Sequence, residues 1–285
     1  MSIKRTVIFG AGQGGRMVLK LLNGNNYEVV AFMDNNRSLY DKTLAGLPIL
    51  SPEELKSLNP DAVFIAVLNP DRAVEIYNQL VQLGVARDKI RDINFARECF
   101  DIRLAVMRQL AYELIRKNIR GELAELGVYL GDFACRMNEL FPDRYLYLFD
   151  TFTGFDQRDI MIEHAQGFSR AVEGKFSDTS REFVRSRLPY PEKAIFKQGY
   201  FPDTARGINE GFALVSIDAD LYKPVYEGLK FFYPRLNEGG YLMIHDYDNS
   251  YFSGVNAAVR RYCDEMNLYL VPLCDLHGSA VMIKH

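Results

Sequence analysis

In two segments of the sequence, an apolar run is followed by a glycine-rich turn and then by apolar residues at helical spacing. The first covers residues 7–15 and the second covers residues 123–131. In each half an acid closes the next apolar run, Asp34 in the first and Asp150 in the second. A strand, a glycine turn and a helix in succession are typical of parallel sheets whose strands are joined by helices. The sequence therefore predicts an α/β architecture with two separate sheets.

The apolar pattern also predicts how the 285 residues are divided. We expect a first domain at residues 1–98, a linking helix at 99–121 and a second domain at 122–285. Strands are predicted at 5–9, 28–33, 62–67, 123–127, 145–149, 194–197, 213–217 and 241–244, and helices at 12–23, 52–58, 71–83 and 101–118. Runs at 268–273 and 280–284 indicate an antiparallel hairpin. The predicted fold class is two Rossmann-like, doubly wound domains, the second ending in that hairpin.

Composition limits the partners and the location. The formal net charge is -3 and no dense basic cluster is present, so nucleic acid is not an expected partner. The four cysteines have neither disulfide-scaffold nor metal-ligand spacing. No signal peptide and no apolar run of membrane-spanning length are visible, so we expect a cytoplasmic protein without membrane contact. A homo-oligomer is compatible with the sequence, which does not fix the oligomeric state.

The first glycine turn has the spacing of a dinucleotide-binding loop, with Gly10, Gly12 and Gly15 after a strand and Asp34 as the candidate ribose-binding acid. The alternative is that these glycines serve only close packing of strand and helix. Residues 34–50 resemble the small Rossmann-like domains at the front of bacterial sugar-modifying enzymes, which implies NAD(P) or a nucleotide sugar as ligand. No proton donor or nucleophile stands in this half, so binding without redox turnover is the preferred interpretation.

Acids follow several strands of the second half. Glu125, Asp150, Asp218, His245 and Asp246 all lie at predicted strand ends. Ligands of open α/β sheets bind outside the carboxyl ends of the strands, so we expect these side chains to converge on one crevice. Clustered carboxylates need a cation or protons, which makes Asp218 and Asp246 candidate ligands of Mg²⁺. Asp220 is expected instead to cap the helix that begins near Tyr222.

The second half resembles the macrocin O-methyltransferase family, whose members are S-adenosylmethionine- and magnesium-dependent sugar O-methyltransferases. Matching stretches lie at 125–131, 148–155, 199–204, 218–222, 233–240 and 245–247. The resemblance implies a class I methyltransferase fold, a small sugar-like acceptor, and Asp218 as metal ligand and general base. It also implies S-adenosylmethionine contacts at Glu125, Gly127, Gly131, Asp150, Thr151, Phe152, Gly199 and Tyr200.

One position departs from the family pattern, because His245-Asp246 stands where the family has two aspartates. His245 has three possible roles: a ligand of a weakly held magnesium or a softer ion, the general base, or a structural hydrogen-bonding group. Two rival functions remain open at this point. One is an NAD(P)- or nucleotide-sugar-dependent enzyme that uses the first domain, and the other is a noncatalytic S-adenosylmethionine-binding protein. The polar stretch 153–176 is expected to order over the acceptor as a lid.

Overall fold

The computed structural model describes residues 3–285, and residues 1 and 2 of the expected first domain lie outside this range. The chain forms two compact units that divide between Ile102 and Arg103. Across the described residues, no helix combines the length and apolar character needed to cross a membrane.

A six-stranded sheet forms the centre of the first unit. Its strands are β1 (Lys4–Phe9), β2 (Tyr27–Met33), β3 (Thr43–Leu44), β4 (Leu47–Leu50), β5 (Ala62–Ile65) and β6 (Ile90–Asp92). Its helices are α1 (Gln13–Leu21), α2 (Leu55–Leu58), α3 (Pro70–Gln82) and α4 (Ile93–Cys99). The spatial order is β3-β4-β2-β1-β5-β6, and only β3 pairs antiparallel. Consecutive residues Val7, Ile8 and Phe9 are all buried, as expected for a strand covered on both faces.

A seven-stranded sheet forms the centre of the second unit. Its strands are β7 (Glu122–Leu126), β8 (Leu146–Asp150), β9 (Ala194–Gln198), β10 (Phe212–Ile217), β11 (Leu236–Ile244), β12 (Val271–Pro272) and β13 (Ala280–Ile283). Its helices are α5 (Ile102–Arg116), α6 (Asp132–Leu140), α7 (Gln157–Gln166), α8 (Arg181–Arg187), α9 (Tyr222–Phe232) and α10 (Ser253–Met266). The order is β12-β13-β11-β10-β7-β8-β9. Strands β7 to β11 run parallel, and β13 pairs antiparallel with both β11 and β12.

The two sheets confirm the predicted fold class, including the antiparallel hairpin at the end of the chain. The short elements β3, β4 and β6 were not predicted, because runs of two to four residues carry little periodicity. Helix α5 packs with the second unit. Its residues Met107, Ala111 and Leu114 recur at helical spacing and are buried in a cluster that also contains Leu123 and Leu148 of the sheet.

Candidate active site

A pocket with an empty volume of about 670 Å³ opens at the carboxyl ends of β7, β8 and β10. This is the edge of a parallel sheet at which ligands of such folds bind. Its lining consists of Leu126, Gly127, Tyr129, Phe149, Asp150, Thr151, Gly154, Phe155, Asp156, Asp159, Lys175, Phe176, Gly199, Tyr200, Phe201, Asp218, Ala219, Asp220, Leu221 and Pro224. The pocket therefore joins the glycine turn, the acid after β8 and the acid after β10 in one space.

Gly127 forms the turn that leaves β7, and no other residue type fits there. Its φ is +84°, and a Cβ atom would lie 2.0 Å from the carbonyl oxygen of Asp218. The ends of β7 and β10 are this close because the Asp218 amide donates a hydrogen bond of 2.8 Å to the carbonyl of Leu126. A side chain at this position would push the two strand ends apart.

Asp150 fixes the shape of the glycine turn. Its Oδ2 accepts hydrogen bonds from the amides of Val128 and Tyr129 at 2.7 and 2.9 Å. Its Oδ1 accepts one from the amide of Phe152 at 2.7 Å. A carboxylate offers about four acceptor sites, so Asp150 keeps capacity for a ligand hydroxyl while it holds the loop.

The other expected cofactor positions are distributed around this turn. Thr151, Gly199 and Tyr200 line the pocket. Gly131 is the N-cap of α6, where an added Cβ would lie 2.7 Å from Val184 Cγ1, and Phe152 is buried against Phe196. Gly131 and Phe152 therefore support the wall of the pocket but do not line it.

Glu125 lies on β7, two residues before the turn, and is not one of the pocket-lining residues. Its side chain is buried, and Oε2 has no hydrogen-bond partner among residues 3–285. Burial raises the pKa of Glu125 well above its ordinary value, although the charge of Arg103 opposes the shift. The structure therefore favours a neutral carboxyl at Glu125.

Asp218 is the acid that projects into the pocket after β10, with about a quarter of its side chain exposed. Arg103 contacts its Oδ2 at 2.9 Å through Nη1, and the same guanidinium donates to Ser216 Oγ at 3.0 Å. His245 Nδ1 lies 3.0 Å from the other oxygen, Oδ1. Burial alone would raise the pKa of Asp218, but these two neighbours hold it well below its usual range. Asp218 is thus an ionised carboxylate in the pocket wall.

His245 lies between two carboxylates. Its Nδ1 is 3.0 Å from Asp218 Oδ1 and 3.2 Å from Asp246 Oδ2, although neither contact has hydrogen-bond alignment. Burial alone would lower the pKa of His245, but the charge of Asp218 and the contact with Asp246 raise it to about 10. Neither His245 nor Asp246 lines the pocket. The histidine therefore lies directly against the pocket acid without lining the pocket itself.

Asp220 does not cap α9, so that expectation is wrong. The N-cap residue is Leu221, and the first amide of the helix, that of Tyr222, donates to Glu163 Oε1 at 2.7 Å. Burial and the charges of Asp218 and Asp246 raise the pKa of Asp220 well above its ordinary value. Asp220 therefore belongs to the acid cluster at the strand ends.

The residues expected to bind magnesium do not fit that ion. Donor atoms of Asp218, His245 and Asp246 lie within 4.8 Å of one another, so their spacing alone would admit a cation. However, one of the three donors is an imidazole nitrogen, whereas Mg²⁺ selects oxygen ligands in near-octahedral geometry. The guanidinium of Arg103, 2.9 Å from Asp218, already supplies a positive charge at this point.

Arg103 is a residue of this site that sequence reasoning missed. It is buried at the start of α5, and its guanidinium lies 4.0 Å from the centre of the Phe133 ring. The available signal was its spacing, because Arg103 shares the buried face of the helix with Met107 and Ala111. A charged residue on an apolar helical face needs a buried partner of opposite charge.

The stretch 153–176 contains α7 and forms one wall of the pocket. Its residues Phe155, Asp159 and Phe176 line the pocket. The Tyr200 hydroxyl donates to Asp159 Oδ1 at 2.6 Å, and burial raises the pKa of Asp159 to about 6. This stretch is tied to the rest of the unit through fully buried Glu163, the residue that receives the first amide of α9. Its closure over an acceptor stays a prediction.

The first glycine turn has a similar local design. Asp34 Oδ2 accepts a hydrogen bond from the amide of Ala11 at 2.8 Å, as Asp150 does in the second unit. Gly12 is the exposed N-cap of α1. Gly10 has a φ of +111°, and a Cβ on Gly15 would lie 2.0 Å from the Gly10 carbonyl oxygen. Gly10 and Gly15 are thus required by the turn and by helix packing, whatever ligand binds there.

Comparison with family models assigns both parts of the chain. Residues 98–285 match the model described as Macrocin-O-methyltransferase (TylF). Residues 2–91 match the model described as C2185-like, N-terminal.

Two curated relatives of this chain are named as O-methyltransferases. The demethyldecarbamoylnovobiocin O-methyltransferase of Streptomyces niveus is 28% identical over 161 residues, which cover 51% of this chain and 60% of that protein. The 8-demethyl-8-(2,3-dimethoxy-alpha-L-rhamnosyl)-tetracenomycin-C 4'-O-methyltransferase of Streptomyces olivaceus is 23% identical, with 64% of this chain and 73% of that protein covered. The match thus spans less than two thirds of the first of these proteins.

Solved structures show the same fold. The O-methyltransferase NovP aligns with a TM-score of 0.53 at 24% identity, covering 64% of this chain and 79% of that chain. The calicheamicin methyltransferase CalS11 aligns with a TM-score of 0.52 at 21% identity, covering 75% and 86%.

Proposed function

The chain belongs to the macrocin-O-methyltransferase family, and on that premise we propose that it transfers a methyl group from S-adenosylmethionine to a hydroxyl group of a sugar or a sugar-containing metabolite. The observation that carries this proposal is the shared pocket. Gly127 and Asp150, the expected cofactor positions, line the same space as the ionised carboxylate of Asp218. A donor site and a proton acceptor must adjoin if a methyl group is to pass to a hydroxyl oxygen.

The residues of the pocket fit S-adenosylmethionine. Its lining combines apolar and aromatic side chains with a few polar groups, as in other small-molecule sites. Asp150 has acceptor capacity for a ribose hydroxyl, and the side-chain-free turn at Gly127 leaves the backbone accessible to the amino-acid part of the cofactor. Thr151, Gly199 and Tyr200 would surround the remainder.

When bound, the cofactor supplies an electrophilic methyl group: the acceptor oxygen forms the new O–C bond, the C–S bond breaks with its electrons on sulfur, and the hydroxyl proton is released. Asp218 is the group that receives this proton. A carboxylate with a low pKa suffices, because the proton becomes strongly acidic once the oxygen carries the methyl group. The same carboxylate can orient the hydroxyl before transfer by accepting its hydrogen bond.

A relative supports the acceptor class. One of the matched O-methyltransferases is named for a rhamnosyl-tetracenomycin, a compound that carries a sugar. In this chain the acceptor would lie against the wall formed by Phe155, Asp156 and Phe176. Aromatic rings beside a carboxylate suit a sugar, which offers both C–H faces and hydroxyl groups.

For the first unit we retain a nucleotide sugar as the proposed ligand, with NAD(P) as the alternative. The exposed N-cap Gly12 and the acid Asp34 support this proposal, because a helix N-terminus attracts phosphate and a carboxylate after the second strand can accept a ribose hydroxyl. The expected domains, 1–98 and 122–285 with a linking helix at 99–121, also stay a proposal. The packing of α5 on the second sheet supports counting most of that helix with the methyltransferase domain.

The decisive experiment compares Asp218→Asn with the wild-type chain. Methyl transfer from labelled S-adenosylmethionine is measured on a panel of nucleotide sugars and glycosides, and S-adenosylhomocysteine binding is measured by calorimetry. Loss of the group that orients the hydroxyl and accepts its proton should lower the rate about 100-fold or more, whereas cofactor binding should be retained. The matched control is Asp203→Asn, whose side chain is about half exposed. Full activity of Asp218→Asn would remove Asp218 from the mechanism, whereas wild-type protein that binds no S-adenosylhomocysteine would refute the methyltransferase proposal.

A further inference from the structure

Two carboxylates end neighbouring strands at the edge of the pocket. Asp218 follows β10, Asp246 follows β11, and these strands are paired in parallel. Asp246 is almost completely buried, and its Oδ1 accepts a hydrogen bond from the side chain of Asn249 at 2.7 Å. Two carboxylates held this close to one another need a positive group between them or a shared proton.

The imidazole of His245 fills that position. Its Nδ1 lies 3.0 Å from Asp218 and 3.2 Å from Asp246, with only 15% of the side chain exposed. The ring of His277, from the loop between β12 and β13, lies 5.1 Å from the ring of His245. The imidazole is thus packed within the cluster, and a cation that bridged the two carboxylates would have to displace Nδ1 or bind to it.

Arg103 provides a second positive group on the opposite side of Asp218. Its guanidinium contacts Oδ2 at 2.9 Å, while His245 contacts Oδ1. Ser216 and the ring of Phe133 hold the guanidinium in place. Both oxygens of the pocket acid are therefore next to positively charged or polar groups that belong to the chain itself.

We propose that His245 and Arg103 take the place of a divalent cation in this chain, so that methyl transfer proceeds without a metal ion. The inference rests on the proposed methyltransferase function. His245 and Arg103 act as positioning residues: they hold Asp218 ionised and oriented toward the acceptor hydroxyl. Asp218 takes the hydroxyl proton as the O–C bond forms and the C–S bond breaks, and it releases that proton to water.

Metal binding itself supplies the first test, and it needs no acceptor. Titration of wild-type protein with Mn²⁺, followed by the electron paramagnetic resonance of free Mn²⁺, should show no binding at this cluster, and Mg²⁺ should not raise the melting temperature. His245→Asp should bind Mn²⁺ and gain thermal stability with Mg²⁺, because it places three carboxylates around one point. The control His245→Asn has a similar size but adds no charge, and it should gain neither property.

Each outcome of this test decides the inference. Wild-type binding of Mn²⁺ that Asp218→Asn abolishes would overturn it, as would a His245→Asp variant that gains no metal affinity. If His245→Asn gained as much thermal stability from Mg²⁺ as His245→Asp, the imidazole would not be the group that takes the place of the divalent cation. If the variants fail to fold, the wild-type titration still decides.

Activity supplies the second test. Wild-type turnover should be unchanged after exhaustive chelation, and His245→Asp should be stimulated about tenfold or more by Mg²⁺. Wild-type activity lost on chelation and restored by a divalent ion would overturn the inference while leaving the methyltransferase proposal intact. Absence of methyl transfer with and without metals, together with no cofactor binding, would instead remove the proposed function.

Discussion

Replacement of Gly127 by alanine tests the close approach of β7 and β10, and Gly207→Ala is its matched control. Both glycines lie in the second unit with similar φ values, +84° and +79°. A Cβ at Gly207 would meet nothing within 4 Å, whereas at Gly127 it would lie 2.0 Å from the Asp218 carbonyl oxygen. The control therefore carries only the backbone strain, about 1 kcal/mol, and any further loss at Gly127 measures the contact between the strands.

The further loss is large because the backbone cannot yield freely. To reach ordinary contact, the carbonyl of Asp218 must move away by more than 1 Å, and the hydrogen bond between Asp218 and Leu126 opposes that movement. Overpacking of this kind costs about 3 kcal/mol. The free energy of unfolding of Gly127→Ala should thus be about 3 kcal/mol smaller than that of Gly207→Ala. Gly127→Ala should accordingly unfold at a lower urea concentration.

Circular dichroism is the suitable probe for these urea titrations, because the chain contains no tryptophan. The variant should also bind S-adenosylhomocysteine more weakly, since the turn at Gly127 lines the pocket. A free energy of unfolding for Gly127→Ala within about 1 kcal/mol of the control would show that the two strand ends separate easily. The argument for a fixed turn would then be wrong.

Two further predictions concern buried charges. Arg103→Met should lower the free energy of unfolding by about 3 kcal/mol, because Asp218 is left without its buried partner. The control, Arg108→Met at an exposed position, should change the free energy of unfolding in urea by less than about 0.5 kcal/mol. Equal losses of stability in the two variants would refute the pairing of Arg103 with Asp218. Asp159→Asn should leave stability unchanged near pH 4 and raise it by up to about 3 kcal/mol at pH 8, since the pKa of Asp159 is raised from 3.8 to about 6. The raised pKa means that the folded state holds its proton more tightly, so wild-type stability falls as the pH rises from 3.8 to about 6 and is level above that. A pH-independent difference in urea midpoint, or the same profile for the half-exposed Asp203→Asn, would contradict this reasoning.

The fold could be predicted from the sequence because strand, glycine turn and acid leave a regular signal. Gly127 and Asp150 are dictated by local geometry, one by a positive φ and the other by the amides that it accepts. The lining residues of the wall 153–176 could not be predicted, because α7 is held by tertiary contacts such as that of Glu163 with α9. Helix α7 itself has little apolar periodicity, so nothing in its own sequence indicates which face is buried.

The charge balance of the site was also beyond sequence reasoning. Asp218 and His245 are identified by their positions at strand ends, but Arg103 lies far away along the chain and contacts Asp218 only after α5 docks on the sheet. The interpretation of Asp220 as a helix cap was wrong for a related reason. Glu163, from a different helix, occupies the capping role, and this contact is invisible without the tertiary structure.

The position of Arg103 has a practical consequence for dividing the chain. A fragment that begins at Glu122, where the second sheet starts, would keep every strand of that sheet and the whole pocket lining. It would nevertheless lose the guanidinium that faces Asp218, together with the apolar face of α5. Recombinant fragments of the second unit should therefore start upstream of Ile102, and a shorter one would carry an acid whose buried counter-charge has been cut away.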